Sequence, residues 1–355
     1  MLIEFISEYG LFLAKVATFI IGFLILVAVL AQVKSHDSSG NGKLEIKSVN
    51  DHFDDMRDKI RESIFDKHQL KLFLKELKQS EKKENKLAKE NAKNKGSLKK
   101  LNKKNIYVLD FDGDMKASGV ECLREEITAI LSMATADDEV IIRLESPGGM
   151  VHSYGLASSQ LARIRNAKIP LTICVDRVAA SGGYMMACIA NKILAAPFAV
   201  LGSIGVVASL PNFNKVLKKY DVDYELITAG EYKRTLTMLG ENTESGRKKF
   251  VQDLEETHVL FKDFVSDYRP NLDINSVATG ETWYGKKALE KNLIDEVITS
   301  DEYIFKCSDN ASVFHVQYTQ KKSWQEKIGI SIQAAIEKSI DKMLLKVLND
   351  WSTRH

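Results

Sequence analysis

The chain has 355 residues, of which 45% are hydrophobic and 28% are charged, so it is long enough and apolar enough to bury a substantial core. A net charge of +2 excludes a uniformly basic or acidic protein, although lysines are concentrated between residues 67 and 104. The four cysteines show neither CxxC nor Cys/His spacing, which argues against a dense disulfide framework and against a zinc site.

A strongly apolar stretch near the start predicts a membrane anchor within residues 1–34. Residues 11–33 contain one charge, Lys15, and are numerous enough to cross the roughly 30 Å hydrocarbon layer as a helix. A cleaved signal peptide is the alternative, but the acidic Glu4 and Glu8 stand where such a peptide carries positive charge. Lysines after the span favour a cytoplasmic location for the rest of the chain.

Residues 35–104 are predicted to form a linker followed by a lysine-rich helical arm. Residues 35–42 are rich in Ser, Gly and Asn, and from Val49 to Leu77 apolar residues recur at three- and four-residue steps. Lys, Glu and Asn then dominate, which is typical of a solvated helix or tether. Binding to anionic lipid is an alternative, whereas nucleic-acid binding is disfavoured because no aromatic residues are interleaved.

From Ile106 onward, short apolar runs alternate with amphipathic segments, and residues 105–300 are predicted to form the main domain. Strands interleaved with helices predict an α/β fold with parallel strands and crossover helices. Strands are expected at residues 106–111, 140–144, 171–175, 193–195 and 294–298, helices at 119–133, 150–166, 181–190, 243–268 and 282–293, and further alternating segments at 204–208, 213–219 and 224–228.

Residues 301–355 extend beyond that domain. Within them, residues 323–351 carry isoleucines and other apolar residues at helical spacing, which predicts an amphipathic helix. We expect this helix to pack on its own domain or on a neighbouring subunit, with the membrane surface as the alternative.

Ser181 is the candidate nucleophile. It lies between two alanines and two glycines, so no bulky side chain shields its oxygen and the backbone after it can bend freely. A serine becomes nucleophilic when a base takes its proton, and that base is usually histidine. No histidine lies between residues 181 and 257, which leaves His152, His258 and His315 as histidine candidates.

A lysine can replace histidine as the base when burial favours its neutral form. Lys233, at the end of a Gly-Glu-Tyr-Lys sequence, follows a predicted strand and is the candidate, with a surface lysine as the alternative. Gly149, after another strand, and Gly182, beside the nucleophile, can supply two backbone N–H groups to an oxyanion. A serine and a lysine at Ser245 and Lys248 also match S-x-x-K, but they stand where a helix begins.

Three motifs, A-A-S-G-G-Y, S-P-G-G and G-E-Y-K, resemble in order and spacing the signal peptide peptidase A family of serine-lysine membrane proteases, peptidase family S49. The anchor, the basic arm and the single catalytic domain are most similar to the SohB branch. The resemblance extends from the anchor to about residue 298. It implies a ClpP/crotonase-like fold, Ser181 as nucleophile, Lys233 as general base and Ser203 as the residue that holds the lysine in line.

The same resemblance implies an enzyme without metal or other cofactor that hydrolyses peptides, such as remnant signal peptides or membrane-associated polypeptides, through an acyl-enzyme. It also implies ring-like homo-oligomers in the bacterial inner membrane with the protease domain in the periplasm, against the charge bias noted above. A membrane-anchored scaffold that binds partners on the same fold is one alternative. An acyl-CoA enzyme on the related crotonase fold is another.

Overall fold

The computed structural model describes residues 42–66 and 103–320, together with residues 68, 69, 73, 75, 79, 82 and 83. Leu44–Tyr318 form one compact unit. The predicted anchor at residues 11–33, most of the lysine-rich arm and the amphipathic segment at residues 323–351 lie outside the described residues. Within the described ranges, no helix has the length and apolar character needed to span a membrane.

The strands form two sheets. In chain order they are β1 Lys43–Ser48, β2 Asn105–Asp112, β3 Glu139–Glu145, β4 Leu171–Val175, β5 Val178–Ala180, β6 Lys192–Ala195, β7 Val200–Gly202, β8 Thr282–Tyr284, β9 Glu296–Val297 and β10 Ser312–Thr319. The larger sheet has the order β1-β10-β2-β3-β4-β6-β9, with parallel pairing from β10 to β9, and the smaller sheet has the order β5-β7-β8. The predicted α/β fold with parallel strands is therefore confirmed.

Helices cover both faces of the larger sheet. They are α1 Val49–Ile64, α2 Val120–Leu131, α3 Val151–Asn166, α4 Gly182–Ala187, α5 Asn214–Lys219, α6 Glu244–Tyr268, α7 Ile274–Val277, α8 Gly285–Glu290 and α9 Ser300–Ser308. Alternate residues of a strand point to opposite faces, so β2 contributes Leu109 to the main core and Val108 to a smaller core on the other side. This burial on both faces explains why its sequence is a nearly continuous apolar run.

The chain just before the arm joins the protein's sheet, which the sequence did not predict. Strand β1 lies beside β10, and the side chain of Asn50 donates to the carbonyls of Ser308 (2.9 Å) and Ala311 (3.1 Å). The same side chain accepts the N–H of Val313 at 2.7 Å. Asn50 thus connects α1 to the turn between α9 and β10.

The predicted elements between residues 106 and 195 are all present, but three predictions further along are wrong. Residues 282–293 begin as strand β8, because Trp283 pairs with Leu201 across the smaller sheet, and only Gly285–Glu290 are helical. Residues 204–208 and 224–228 are not strands. They are apolar, yet Val207 and Ile227 are each 90% exposed, because the described part of the chain brings no strand beside them.

Candidate active site

Ser181 stands at a sharp turn between strand β5 and helix α4. Its φ of 53° and ψ of −118° lie where residues with a side chain are rarely found. Hydrogen bonds fix this conformation: the N–H of Ser181 donates to Gly202 at 2.8 Å, and its carbonyl accepts from Met185 at 3.0 Å. A strained strand-to-helix turn is the geometry that displays a nucleophilic serine in α/β hydrolases.

The loop after β3 packs against this turn. Gly148 has a φ of +89°, and a methyl group added to it would lie 2.8 Å from the nitrogen of Gly182. Ser146 holds the two segments together, because its N–H donates to Val178 at 2.8 Å and its carbonyl accepts from Ala180 at 3.0 Å. The loop that carries the candidate oxyanion donors therefore lies beside the candidate nucleophile.

Gly149 is enclosed on the other side of the same loop. A methyl group at this position would overlap the carbonyl of Met115, and the next residue, Met150, donates its N–H to that carbonyl at 2.9 Å. The loop is thus held between the turn at Ser181 and the segment around Met115.

Ser203 lies at the end of the strand next to the nucleophile. Gly202 pairs with Ala180 in parallel register, so Ser203 and Ser181 are the next residues of neighbouring strands. Ser203 is half-buried with a φ of 50°, and its N–H donates to Glu281 at 2.6 Å. The Nε2 atom of His258 lies 3.3 Å from the carbonyl of the following residue, Ile204.

Lys233 is not part of this group in the single chain. The residue is exposed, and its backbone N–H donates to Gly230 at 3.2 Å. It belongs to an exposed segment, residues 205–239, which carries many apolar side chains at the surface, among them Val207, Phe213, Val216, Tyr220, Ile227 and Tyr232. The structure therefore brings together Ser181, Ser203, Gly148, Gly149 and Gly182, and leaves Lys233 exposed to solvent.

The three histidine candidates do not lie next to Ser181 as a base would. His152 is exposed in the first turn of α3, and Nε2 of His315 lies 2.8 Å from Oδ2 of Asp110 on strand β2. Across the described ranges, no group of three or more His, Cys, Asp or Glu side chains is placed to hold a metal ion. Cys174 and Cys188 are buried in the cores, and burial raises the pKa of both thiols.

Sequence reasoning missed one side chain at this site, Tyr154 of helix α3. Its side chain is fully buried, and its hydroxyl lies 2.6 Å from the hydroxyl of Ser146. A tyrosine on the apolar face of a helix looks like any core residue in a sequence. A buried phenol needs a hydrogen-bond partner, however, and the nearby Ser146 at the end of a buried strand was the available signal.

Comparisons with known proteins agree with the three motifs. Residues 4–161 match the profile described as "Peptidase family S49 N-terminal", and residues 163–314 match "Peptidase family S49". The "Probable protease SohB" of Haemophilus influenzae is 46% identical over 354 residues, which are 100% of this chain and 98% of the relative. The "Probable protease SohB" of Buchnera aphidicola subsp. Schlechtendalia chinensis is 50% identical over 307 residues, which are 85% and 99% of the two chains.

A solved structure with a similar fold is the 1510-N membrane-bound stomatin-specific protease in complex with a substrate peptide. The two chains are 17% identical, with a TM-score of 0.39 over 65% of this chain and 98% of the other.

Proposed function

Because this chain belongs to peptidase family S49 and is a protease, we propose that it is a membrane-anchored serine endopeptidase with Ser181 as nucleophile and Lys233 as general base. The observation that carries this proposal is the turn at Ser181. A conformation with φ 53° costs on the order of 1–3 kcal/mol, and such strain persists where the surrounding structure enforces it for function. The proposed fold is the ClpP/crotonase-like variant of the α/β class.

The proposed reaction is hydrolysis through an acyl-enzyme. Neutral Lys233 takes the proton of the Ser181 hydroxyl, and the serine oxygen attacks the peptide carbonyl carbon. The N–H groups of Gly149 and Gly182 stabilise the resulting oxyanion, which the packing of the Gly148 loop against Gly182 supports. Lys233 then protonates the leaving amine and activates the water that releases the acyl group. No metal or cofactor takes part.

Lys233 can be neutral only where it is removed from water, since desolvation disfavours its charged form. It is exposed in the single chain and lies in the exposed apolar segment at residues 205–239. Apolar surface of this kind marks an interaction site. We therefore infer that neighbouring copies in a homo-oligomer cover this segment and remove Lys233 from water.

Ser203 is proposed to hold the lysine in line. Its position beside Ser181, in register on the neighbouring strand, supports this role. Ser203→Ala should lower the hydrolysis rate by less than Lys233→Met, because it removes an orienting hydrogen bond rather than the base itself.

Peptide hydrolysis and labelling by a fluorophosphonate probe test the proposal together. Ser181→Ala should abolish both, and Lys233→Met should abolish hydrolysis while sedimentation shows the oligomer intact. Lys219→Met, in the same exposed segment, is the matched control and should retain activity. Full activity in Lys233→Met would refute the Ser-Lys dyad. A wild-type chain that neither reacts nor hydrolyses would instead favour the partner-binding scaffold.

The substrate proposed is a peptide or protein in, or released from, a bacterial inner membrane, with residues 11–33 as a single-pass anchor and the protease domain in the periplasm. Compartment-sensitive reporters fused after Gly42 and after Trp351 test the location. A periplasmic signal from both fusions is expected, and a cytoplasmic signal would overturn it.

A further inference from the structure

A chain of hydroxyl groups lies directly behind the candidate oxyanion loop. The N–H of Gly148 donates to Oγ of Ser146 at 3.1 Å, and this oxygen lies 2.6 Å from the hydroxyl of Tyr154. The Tyr154 hydroxyl donates to the carbonyl of Asp114 at 2.8 Å. Since a phenol has one proton and Tyr154 uses it for Asp114, the Ser146 hydroxyl is the donor to Tyr154.

This chain leaves no free choice of position for the loop. Ser146 and Tyr154 are both 0% exposed, so water does not compete for their hydrogen bonds. Each hydroxyl is both donor and acceptor, and the chain ends on backbone groups at both ends. It therefore ties the backbone of Gly148 to the backbone of Asp114 across the end of strand β3.

The ring of Tyr154 contacts the other half of the site. A methyl group added to Gly182 would overlap the Tyr154 ring, so the ring lies flat against the backbone that follows the nucleophile. The N–H of Gly182 is the second proposed oxyanion donor. One side chain thus touches both segments that must be held at a fixed distance from each other.

We propose that Tyr154 is a positioning residue that sets the distance between the two halves of the oxyanion hole, its hydroxyl acting through Ser146 on the Gly148 loop and its ring acting on Gly182. This inference rests on the proposed serine protease function. It goes beyond that function because Tyr154 touches neither the substrate nor the reacting atoms. Its effect falls on the transition state, where charge on the oxyanion makes the donor positions matter most.

The test is Tyr154→Phe, which keeps the ring and removes one hydroxyl. Loss of a whole oxyanion donor costs about 100- to 1,000-fold in kcat, and a displaced donor should cost less, about 10- to 100-fold. KM for an internally quenched peptide should change less than threefold. Inhibition by a peptide aldehyde, whose adduct places an oxygen in the same hole, should weaken in parallel with kcat.

Tyr303→Phe is the matched control. The Tyr303 hydroxyl donates to Oε1 of Glu139 at 2.9 Å within the smaller core on the opposite face of the sheet. Its removal should lower stability without lowering kcat. Ser146→Ala should reproduce the Tyr154→Phe effect, and the double variant should lose no more activity than the weaker single variant, because the two hydroxyls act as one unit. Should Tyr154→Phe fail to fold, Ser146→Ala carries the same test.

The outcomes separate this inference from the proposed function. Hydrolysis that is lost in Ser181→Ala but kept within twofold in folded Tyr154→Phe refutes the positioning role alone. An equal loss of kcat in Tyr303→Phe also refutes it, because the effect would then be one of general stability. Hydrolysis that survives Ser181→Ala refutes the proposed function itself.

Discussion

Gly148 lies against Ser181 with no room for a side chain between them. A methyl group on Gly148 would lie 2.7 Å from Cβ of Ser181 and 2.7 Å from the carbonyl oxygen of Ala180, well inside van der Waals contact. The positive φ of Gly148, +89°, is a second reason for glycine at this position. The two segments of the candidate site can therefore approach each other only because one of them is glycine.

Gly148→Ala should consequently abolish hydrolysis, because the loop or the turn must move to accommodate the methyl group. We expect a loss of activity of at least about 100-fold, comparable to the loss of an oxyanion donor, measured as kcat/KM on the quenched peptide. Gly155→Ala is the control, since Gly155 lies in helix α3 with open space around it. It should keep full activity and gain about 0.5–1 kcal/mol of stability. Normal activity in Gly148→Ala would contradict the described packing.

A buried carboxyl makes the stability of the fold depend on pH. Glu126 of helix α2 is 4% exposed, and burial raises its pKa to about 6 even though the N–H of Tyr318 donates to it at 2.7 Å. The folded chain therefore holds a proton between about pH 4.5 and pH 6 that the unfolded chain has lost. Its stability falls as the pH rises through this window, and the cost persists above it.

Glu126→Gln should remove this cost. At pH 8 we expect the variant to be more stable by about 1–2 kcal/mol, and near pH 4 the two proteins should be equal. Urea unfolding across the pH range measures the difference. Glu125→Gln, at the neighbouring exposed position, should not change the pH profile. A Glu126→Gln variant that loses stability at pH 8 would show that the carboxylate is needed by Tyr318.

The sequence predicted the part of the fold whose elements are stabilised by burial within one chain. The apolar run around Val108 and the helix capped by Thr243 are both present, because burial and capping leave local signals. Strand β1 has polar residues and depends on pairing with β10, which no local pattern reveals. For residues 224–228 the apolar pattern predicted a strand, but the described chain provides no neighbour for it.

The candidate site divides in the same way. Ser181 and the glycines around it were predicted from small residues that follow strands, and Ser203 was assigned by resemblance alone. The register between β5 and β7 then places Ser203 beside Ser181. Tyr154 could not be assigned a role, because its importance depends on hydrogen bonds to Ser146 and Asp114 that only the folded chain creates. The predicted base, Lys233, still requires contacts beyond the single chain.

The junction between α1 and the main sheet offers a prediction on stability. Asn50→Ala removes two donors to carbonyls after α9 and leaves the N–H of Val313 without its acceptor. Each such bond contributes about 1 kcal/mol, so we expect a loss of about 2–3 kcal/mol in urea unfolding. Asn310→Ala, at an exposed position of the same turn, should cost little. An unchanged midpoint in Asn50→Ala would mean that α1 and β1 are not part of the cooperative unit.

Ser158 provides a prediction of the opposite sign. Its Oγ lies in the core side of helix α3, 1% of the residue is exposed, and within the described residues this oxygen has no hydrogen-bond partner. A buried hydroxyl without a partner destabilises the fold, and alanine is also the better helix former. Ser158→Ala should therefore raise the free energy of unfolding by about 1 kcal/mol. Ser159→Ala is the neighbouring control, because its exposed hydroxyl donates to the carbonyl of Gly155 at 2.8 Å and its removal should change little. A loss of stability in Ser158→Ala would instead indicate that the hydroxyl binds a partner in the assembled protein.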